Sequence, residues 1–240
     1  MIDSVFISDL HLHPNAKDIN ARFERFIRWA AKNTRTLYIL GDFFHAWVGD
    51  DGVDDSSRAI ADRLAWLSAQ GVALYFMAGN RDFLIGARFA KLAHLTILPD
   101  PTVITLGDER VLLSHGDRFC TADRGHQWLM WLTRNKLFST VFLRLPLTLR
   151  NKIANNVRKQ SKSQKKRPDV VMDVVAETIL THMKQYGVKK IIHGHTHRAG
   201  IFKYTENNNH YLRCVMSDWD DNPSFLCYDK AKGIYLDQIK

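Results

Sequence analysis

Short apolar runs alternate with amphipathic stretches along this chain, and nearly every run stops at a small polar cluster. Val5–Ser8 reads as a buried strand. Phe23, Phe26, Ile27 and Ala30 then recur between charges at helical spacing. Leu37–Leu40 is a second strand, and Asp55–Ala69 a helix with Ile60, Leu64 and Leu67 on one face, stopped at Gln70-Gly71. Val72–Met77 is a third strand, and a short helix lies near Ile85–Ala93. Val103–Leu106 and Arg110–Leu113 form a hairpin across Gly107-Asp108. Met172, Val175, Ile179 and Met183 predict a helix over Asp169–Tyr186, which delivers the chain to a strand at Val188–Ile192. From Ala199 onward short strands and turns alternate in an antiparallel pattern. Strands alternating with helices, then hairpins, predict an α/β core with mixed sheets. There is no internal repeat and no low-complexity linker.

The clusters at the strand ends carry the chemistry. They are Asp9-Leu10-His11, Gly41-Asp42, Gly79-Asn80-Arg81-Asp82, Ser114-His115-Gly116-Asp117 and Gly194-His195-Thr196-His197. Open α/β sheets bind ligands beyond the carboxyl ends of their strands, where all five fall. In extended chain His195 and His197 would point to the same side, as a ligand pair does. Any one cluster alone reads as an ordinary loop. Taken as ligands, Asp9, Asp42, Asn80, His11, His115, His195 and His197 offer two Asp, one Asn and four His, too many donors for one metal ion and enough for two with a shared carboxylate. Mixed oxygen and nitrogen donors suit Mn²⁺, Fe or Zn²⁺ better than Mg²⁺ or Ca²⁺. Two ions about 4 Å apart can clamp both the attacking and leaving oxygens of a phosphoryl transfer. The glycines before Asp42 and Asn80 let the backbone approach such a site closely.

The chain of 240 residues is long enough for one large domain, or a domain with an insertion. Its start lacks the basic and apolar regions of a signal peptide, and no run approaches the roughly 18 apolar residues of a membrane span. Cys120, Cys214 and Cys227 are odd in number and widely spaced, which predicts buried thiols of a reducing cytosol rather than a disulfide framework. The net charge of +9 is local. Twelve Lys and Arg fall between Arg124 and Arg167, where there is no Asp or Glu; outside that segment acidic residues outnumber basic ones, 25 to 22. An anionic partner is expected there.

Asp-x-His, Gly-Asp, Gly-Asn, His and Gly-His-x-His, in that order, resemble the signature of the calcineurin-like metallophosphoesterases over essentially the whole chain. The resemblance implies a four-layer α/β/β/α sandwich of two mixed β-sheets, a single domain over residues 1–240 with a helical cap inserted at 120–168. It further implies a dinuclear centre. Asp9, His11, Asp42 and His197 would hold one ion, and Asp42, Asn80, His115 and His195 the other, with Asp42 bridging. The family usually has His after Gly-Asn; here it is Arg81. Arg stays cationic and binds phosphate bidentately but is a poor proton donor, which suits a pyrophosphate substrate whose leaving phosphate needs no strong acid.

Gly41–Asp51, Gly79–Leu84 and Gly194–Arg198 are similar to one branch of that family, the UDP-2,3-diacylglucosamine pyrophosphohydrolases of lipid A biosynthesis in Gram-negative bacteria. This implies Mn²⁺-dependent attack at the α-phosphorus of UDP-2,3-diacylglucosamine, giving UMP and 2,3-diacylglucosamine 1-phosphate (lipid X), with Asp42, Asn80, Arg81 and His195 at the reacting centre. It also implies substrate contacts from Asn80, Arg81, Asp123, Ser161 and His195, and from a pair in Gln164–Arg167 taken as Lys165 and Lys166. His45 and Ala199 depart from the branch, which has Glu and Pro there, leaving room for a related substrate.

The inserted segment is basic and apolar at once, with Trp128, Leu129, Trp131, Leu132, Leu137, Phe138, Val141, Phe142, Leu143, Leu145, Leu147 and Leu149 among its cations. It reads as a lid packed on the core, or as a cap with an acyl groove and a basic face for phosphates and anionic lipid. Nucleic acid fits less well, because the apolar runs are aliphatic and continuous rather than isolated stacking platforms, and no nucleic-acid partner is expected. The resemblance places the protein in the cytoplasm, peripheral on the inner membrane. Another metal-dependent phosphodiesterase or pyrophosphatase, acting on nucleotide-sugars or nucleic acid, is the alternative. A metal-free binding scaffold would have lost ligands, and none is lost.

Overall fold

The structure, a computed structural model, describes residues 1–121, 124–163, 174–220 and 223–238. In chain order its elements are β1 (Ser4–Ile7), α1 (Lys17–Asn33), β2 (Thr36–Leu40), α2 (Asp55–Ala69), β3 (Ala73–Met77), α3 (Ala87–Ala93), β4 (Thr96–Leu98), β5 (Thr102–Leu106), β6 (Glu109–Ser114), α4 (Arg124–Thr133), α5 (Lys136–Leu143), α6 (Leu147–Ser163), α7 (Ala176–Gln185), β7 (Lys190–His193), β8 (Gly200–Glu206), β9 (Asn209–Val215), β10 (Ser224–Asp229) and β11 (Gly233–Gln238). The strands form two mixed sheets, ordered β11-β10-β1-β2-β3-β4 and β5-β6-β7-β9-β8. β1 through β4 are parallel neighbours in the first, and β6, β7 and β9 in the second.

Period-two alternation builds the layers. Val5, Ile7, Leu37 and Ile39 face outward and bury against Phe23, Phe26 and Ile27 of α1, Leu64 and Leu67 of α2, and Phe89 of α3. Phe6, Leu40 and Met77 face inward and meet Val111, Leu113, Ile192 and Cys214 of the second sheet. Leu112 and Ile191 face outward again, against Ile179 and Met183 of α7. The central strands are apolar on both faces, which is why they read as continuous hydrophobic runs. The expected α/β/β/α order is therefore present.

The structure corrects the sequence reading at one helix and adds to it at two places. The helix predicted over Asp169–Tyr186 starts only at Ala176 within the described residues. Val175 is extended at its N-cap, and its N–H donates to Phe119 O at 3.0 Å instead of entering a helical turn. β4 was not anticipated: three residues beside β3 are too few to carry a pattern. The basic segment is also not all surface. Arg134 ion-pairs with Asp100 and Asp117 at 2.7 and 2.8 Å, and Arg150 is buried against Asp51.

The helical segment divides its apolar residues. Phe142 is buried in the core on the α1–α3 side, with Phe138 and Leu145 packed against it. Trp128, Trp131, Leu137 and Val141 are 63%, 64%, 73% and 53% exposed, which leaves an apolar face uncovered among the described residues. Cys120, Cys214 and Cys227 are buried, as expected. No helix among the described residues is long and apolar enough to cross a membrane.

Candidate metal centre

Parallel neighbours finish together, so the loops after β1, β2 and β3 lie side by side, as do those after β6 and β7. Backbone bonds stitch each set. Asp9 and His11 donate to Gly41 O and Asp42 O, both at 3.0 Å, and Gly194 donates to His115 O at 2.9 Å. Two further bonds cross between the sheets: His195 N to Asp9 Oδ2 at 2.8 Å, and His115 Nδ1 to Leu40 O at 2.9 Å.

Asp9, His11, Asp42, His195 and His197 all have positive φ, between 50° and 67°. The left-handed region is unfavourable for residues with a Cβ, and such strain concentrates at functional sites. It also corrects the reason given for pairing His195 with His197: these residues are not in extended chain. Gly41 shows why glycine precedes Asp42. Its φ is 86°, and a Cβ there would lie 2.5 Å from Gly79 N and 2.6 Å from His115 Nδ1.

Two groups of side chains are close enough to hold a metal ion each, Asp9 with His11 and His197, and Asp9 with Asp42 and His115; donor atoms within a group lie within 4.8 Å of one another. Asn80 joins the second, its Oδ1 3.1 Å from His115 Nε2. The His195 ring stands 5.1 Å from that of His115. Both His115 and His197 use Nδ1 outside the cluster, on Leu40 O and on Asp218 Oδ2 at 3.0 Å, and turn Nε2 into it. That is how metal-bound histidines are oriented. Both ring nitrogens of His11 are buried without a hydrogen-bond partner among the described residues, and Asp9 Oδ1, buried too, has only the His197 Nε2 contact at 3.3 Å. Buried polar atoms are nearly always satisfied, so the His11 nitrogens fit a cation as their partner.

Burial and neighbouring charges shift the groups of the cluster strongly. Burial works to raise the Asp9 carboxyl, but the His197 ring against it and the charge of His115 hold it well below the usual carboxylate range. Burial would lower His115, yet Asp42, Asp9 and Asp117 push it up to about 9. Burial likewise opposes His197, which Asp218 and Asp9 push up to about 10. Burial raises the carboxyl of Asp42. Arg81 counters it, with Nε 3.0 Å from Asp42 Oδ2.

A family model of calcineurin-like phosphoesterases matches residues 4–199. A UDP-2,3-diacylglucosamine hydrolase from Aeromonas salmonicida (strain A449) is 43% identical over 226 residues, 94% of this chain and 89% of that one. Another, from Pseudomonas putida (strain W619), is 42% identical over 237 residues, 98% of each chain. The chain belongs to the calcineurin-like phosphoesterases, in the UDP-2,3-diacylglucosamine hydrolase family. Among solved structures an archaeal phosphodiesterase is similar to this phosphoesterase with a TM-score of 0.51 at 12% identity, covering 98% of both chains, a likeness of fold alone.

The phosphoesterase fold thus gathers Asp9, His11, Asp42, Asn80, Arg81, His115, His195 and His197 at one edge. Asp123, Lys165 and Lys166 lie outside the described residues, and Ser161 is in α6 with its side chain outside them. Sequence reasoning gave no role to Asp82. Its carboxylate is fully buried and accepts the N–H groups of Phe43 at 2.7 Å, Gly79 at 2.8 Å and Asp42 at 3.3 Å. It therefore clamps two site loops together. Burial and the charge of Asp42 push it up to about 7. Its place beside Arg81 was the available signal. Asp218, behind His197, had none.

Proposed function

We propose that this hydrolase cleaves the pyrophosphate of UDP-2,3-diacylglucosamine, giving UMP and 2,3-diacylglucosamine 1-phosphate in lipid A biosynthesis. Water forms a new bond to the α-phosphorus, the bond to the bridging oxygen breaks, and the proton of the water passes to solvent. The observation that carries the reading is the cluster of Asp9, Asp42 and His115, drawn from both sheets, with Arg81 paired directly to Asp42.

Asp9, His11, Asp42 and His197 would hold one Mn²⁺, and Asp42, Asn80, His115 and His195 the other, with Asp42 shared. The unsatisfied ring nitrogens of His11 and the mixed donor set support this. When bound, the ions supply charge neutralisation at phosphate and a more acidic water. Arg81 lies against the bridging candidate and keeps a third of its side chain exposed, so it can hold the phosphates as charge shifts onto the leaving group. The leaving phosphate departs as an anion and takes no proton from Arg81.

Residues 120–168 would act as a cap over this edge. Its apolar residues take the acyl chains, and Asp123, Ser161, Lys165 and Lys166 the sugar and phosphate. The exposed Trp128, Trp131 and Leu137 support peripheral contact with anionic lipid on the cytoplasmic face of the inner membrane.

The test is a substrate panel with Mn²⁺: UDP-2,3-diacylglucosamine, unacylated UDP-sugars and single-stranded nucleic acid. UMP release that depends on the acyl chains is expected. Equal turnover of unacylated UDP-sugar contradicts the acyl groove, and turnover of nucleic acid alone contradicts the substrate.

A further inference from the structure

We propose that Arg150 is a positioning residue that ties the placement of Arg81 to the docking of the cap. This rests on the reading of Arg81 as the phosphate-binding cation.

Arg150 stands on α6 with 1% of its surface exposed. Its Nε donates to Leu145 O at 2.9 Å, which fixes the side chain against its own segment. The rest of the guanidinium leaves that segment altogether. Nη1 donates to Asp51 Oδ1 at 2.8 Å and to Val48 O, and Nη2 donates to Asp51 Oδ2. Gly49 lies between these acceptors at φ 130°, where a Cβ would collide with Nη1. A guanidinium is costly to remove from water unless its donors are matched, and a carboxylate taken two-fold plus a carbonyl matches most of them. The interaction is therefore specific to Arg at this position.

The loop that Arg150 grips is the one that supports Arg81. Trp47 N donates to Arg81 O at 2.9 Å. The carboxylate of Asp50 accepts Trp47 Nε1 at 3.0 Å, Gly86 N at 3.0 Å and Phe89 N at 2.9 Å, locking the loop to the start of α3. Residues 47–51 form a wedge held by Arg150 on one side and holding the Arg81 backbone on the other. Arg134 supplies a contrast. It pins the same helical segment to Asp100 and Asp117 instead of to this wedge.

The experiment is a set of double-mutant cycles on the full-length Mn²⁺-loaded enzyme, reading kcat and KM on UDP-2,3-diacylglucosamine. Arg150→Met is expected to lower kcat about 100-fold, as misplacement of a reacting group by an ångström does. Arg150→Lys should recover only part, because an ammonium cannot bond the carboxylate and the carbonyl in the same fork. In an Arg81→Ala background Arg150→Met should change kcat by less than about 3-fold, since coupled residues are not additive. Arg134→Met should have the same effect in both backgrounds. Equal losses from Arg150→Met with and without Arg81 overturn the proposal, as does a normal kcat in Arg150→Met. A normal Arg81→Ala enzyme instead overturns the role of Arg81 and this inference with it. Asp51→Asn, at a side chain 54% exposed, repeats the cycle with Arg150 retained if Arg150→Met does not fold.

Discussion

Arg81 and Asp42 are joined twice. The Arg81 backbone N–H donates to Asp42 Oδ1 at 2.9 Å, and its side-chain Nε lies 3.0 Å from Asp42 Oδ2. The carboxylate proposed to be shared by two ions is thus tied to the cation proposed to hold the phosphates. Arg81→Ala should lower kcat about 100-fold or more, the loss typical of removing one donor to a developing charge. Its Mn²⁺ content should be near normal, since Arg81 is not a ligand. Arg81→Lys should recover little, because a point charge cannot face carboxylate and phosphate with the same fork. Steady-state kinetics with metal analysis check this, and normal kinetics in Arg81→Ala contradict it.

Asp82 predicts a loss that begins in stability. Asp82→Ala leaves the buried N–H groups of Phe43 and Gly79 without their acceptor. Each such group costs about 1–3 kcal/mol, so unfolding should become easier by about 3 kcal/mol. Asp82→Asn keeps one acceptor oxygen and should lose less. Denaturant titration measures both. An unchanged midpoint in Asp82→Ala would contradict the clamp.

Metal binding has a readout that needs no substrate. A ligand that binds only the folded state raises its melting temperature. Mn²⁺ should stabilise the protein against heat, and the shift should shrink in His11→Ala, which removes a donor to one of the two proposed ions and whose ring nitrogens lack other partners among the described residues. A chelator should remove both the shift and the activity. A melting curve indifferent to millimolar Mn²⁺ would contradict the site.

The exposed apolar face of the helical segment predicts lipid contact. Trp128→Ser, Trp131→Ser and Leu137→Ser together should reduce co-sedimentation with anionic vesicles, leaving the melting temperature unchanged because all three side chains are exposed. Equal sedimentation of variant and parent would contradict this surface.

The sequence made the layers legible because the central strands are apolar on both faces, and made the cluster legible because each strand end carries a donor. The backbone at those ends was not legible. His195 and His197 are left-handed, and the bond from His195 N to Asp9 Oδ2 that spans the two sheets has no local signature. Long-range pairing also hid Asp218 behind His197, and the burial of Arg150, whose carboxylate partner Asp51 lies far back along the chain. A run of cations reads as surface until its distant acids are placed. The start of α7 was set by Val175 donating to Phe119 O, again a tertiary bond that periodicity does not carry.

The most direct measurement is hydrolysis of UDP-2,3-diacylglucosamine by the Mn²⁺-loaded enzyme in ¹⁸O-labelled water, with the label located in the products by mass spectrometry. Attack at the α-phosphorus predicts UMP carrying one ¹⁸O and unlabelled 2,3-diacylglucosamine 1-phosphate. Label in the sugar phosphate, or no UMP at all, would contradict the proposed reaction.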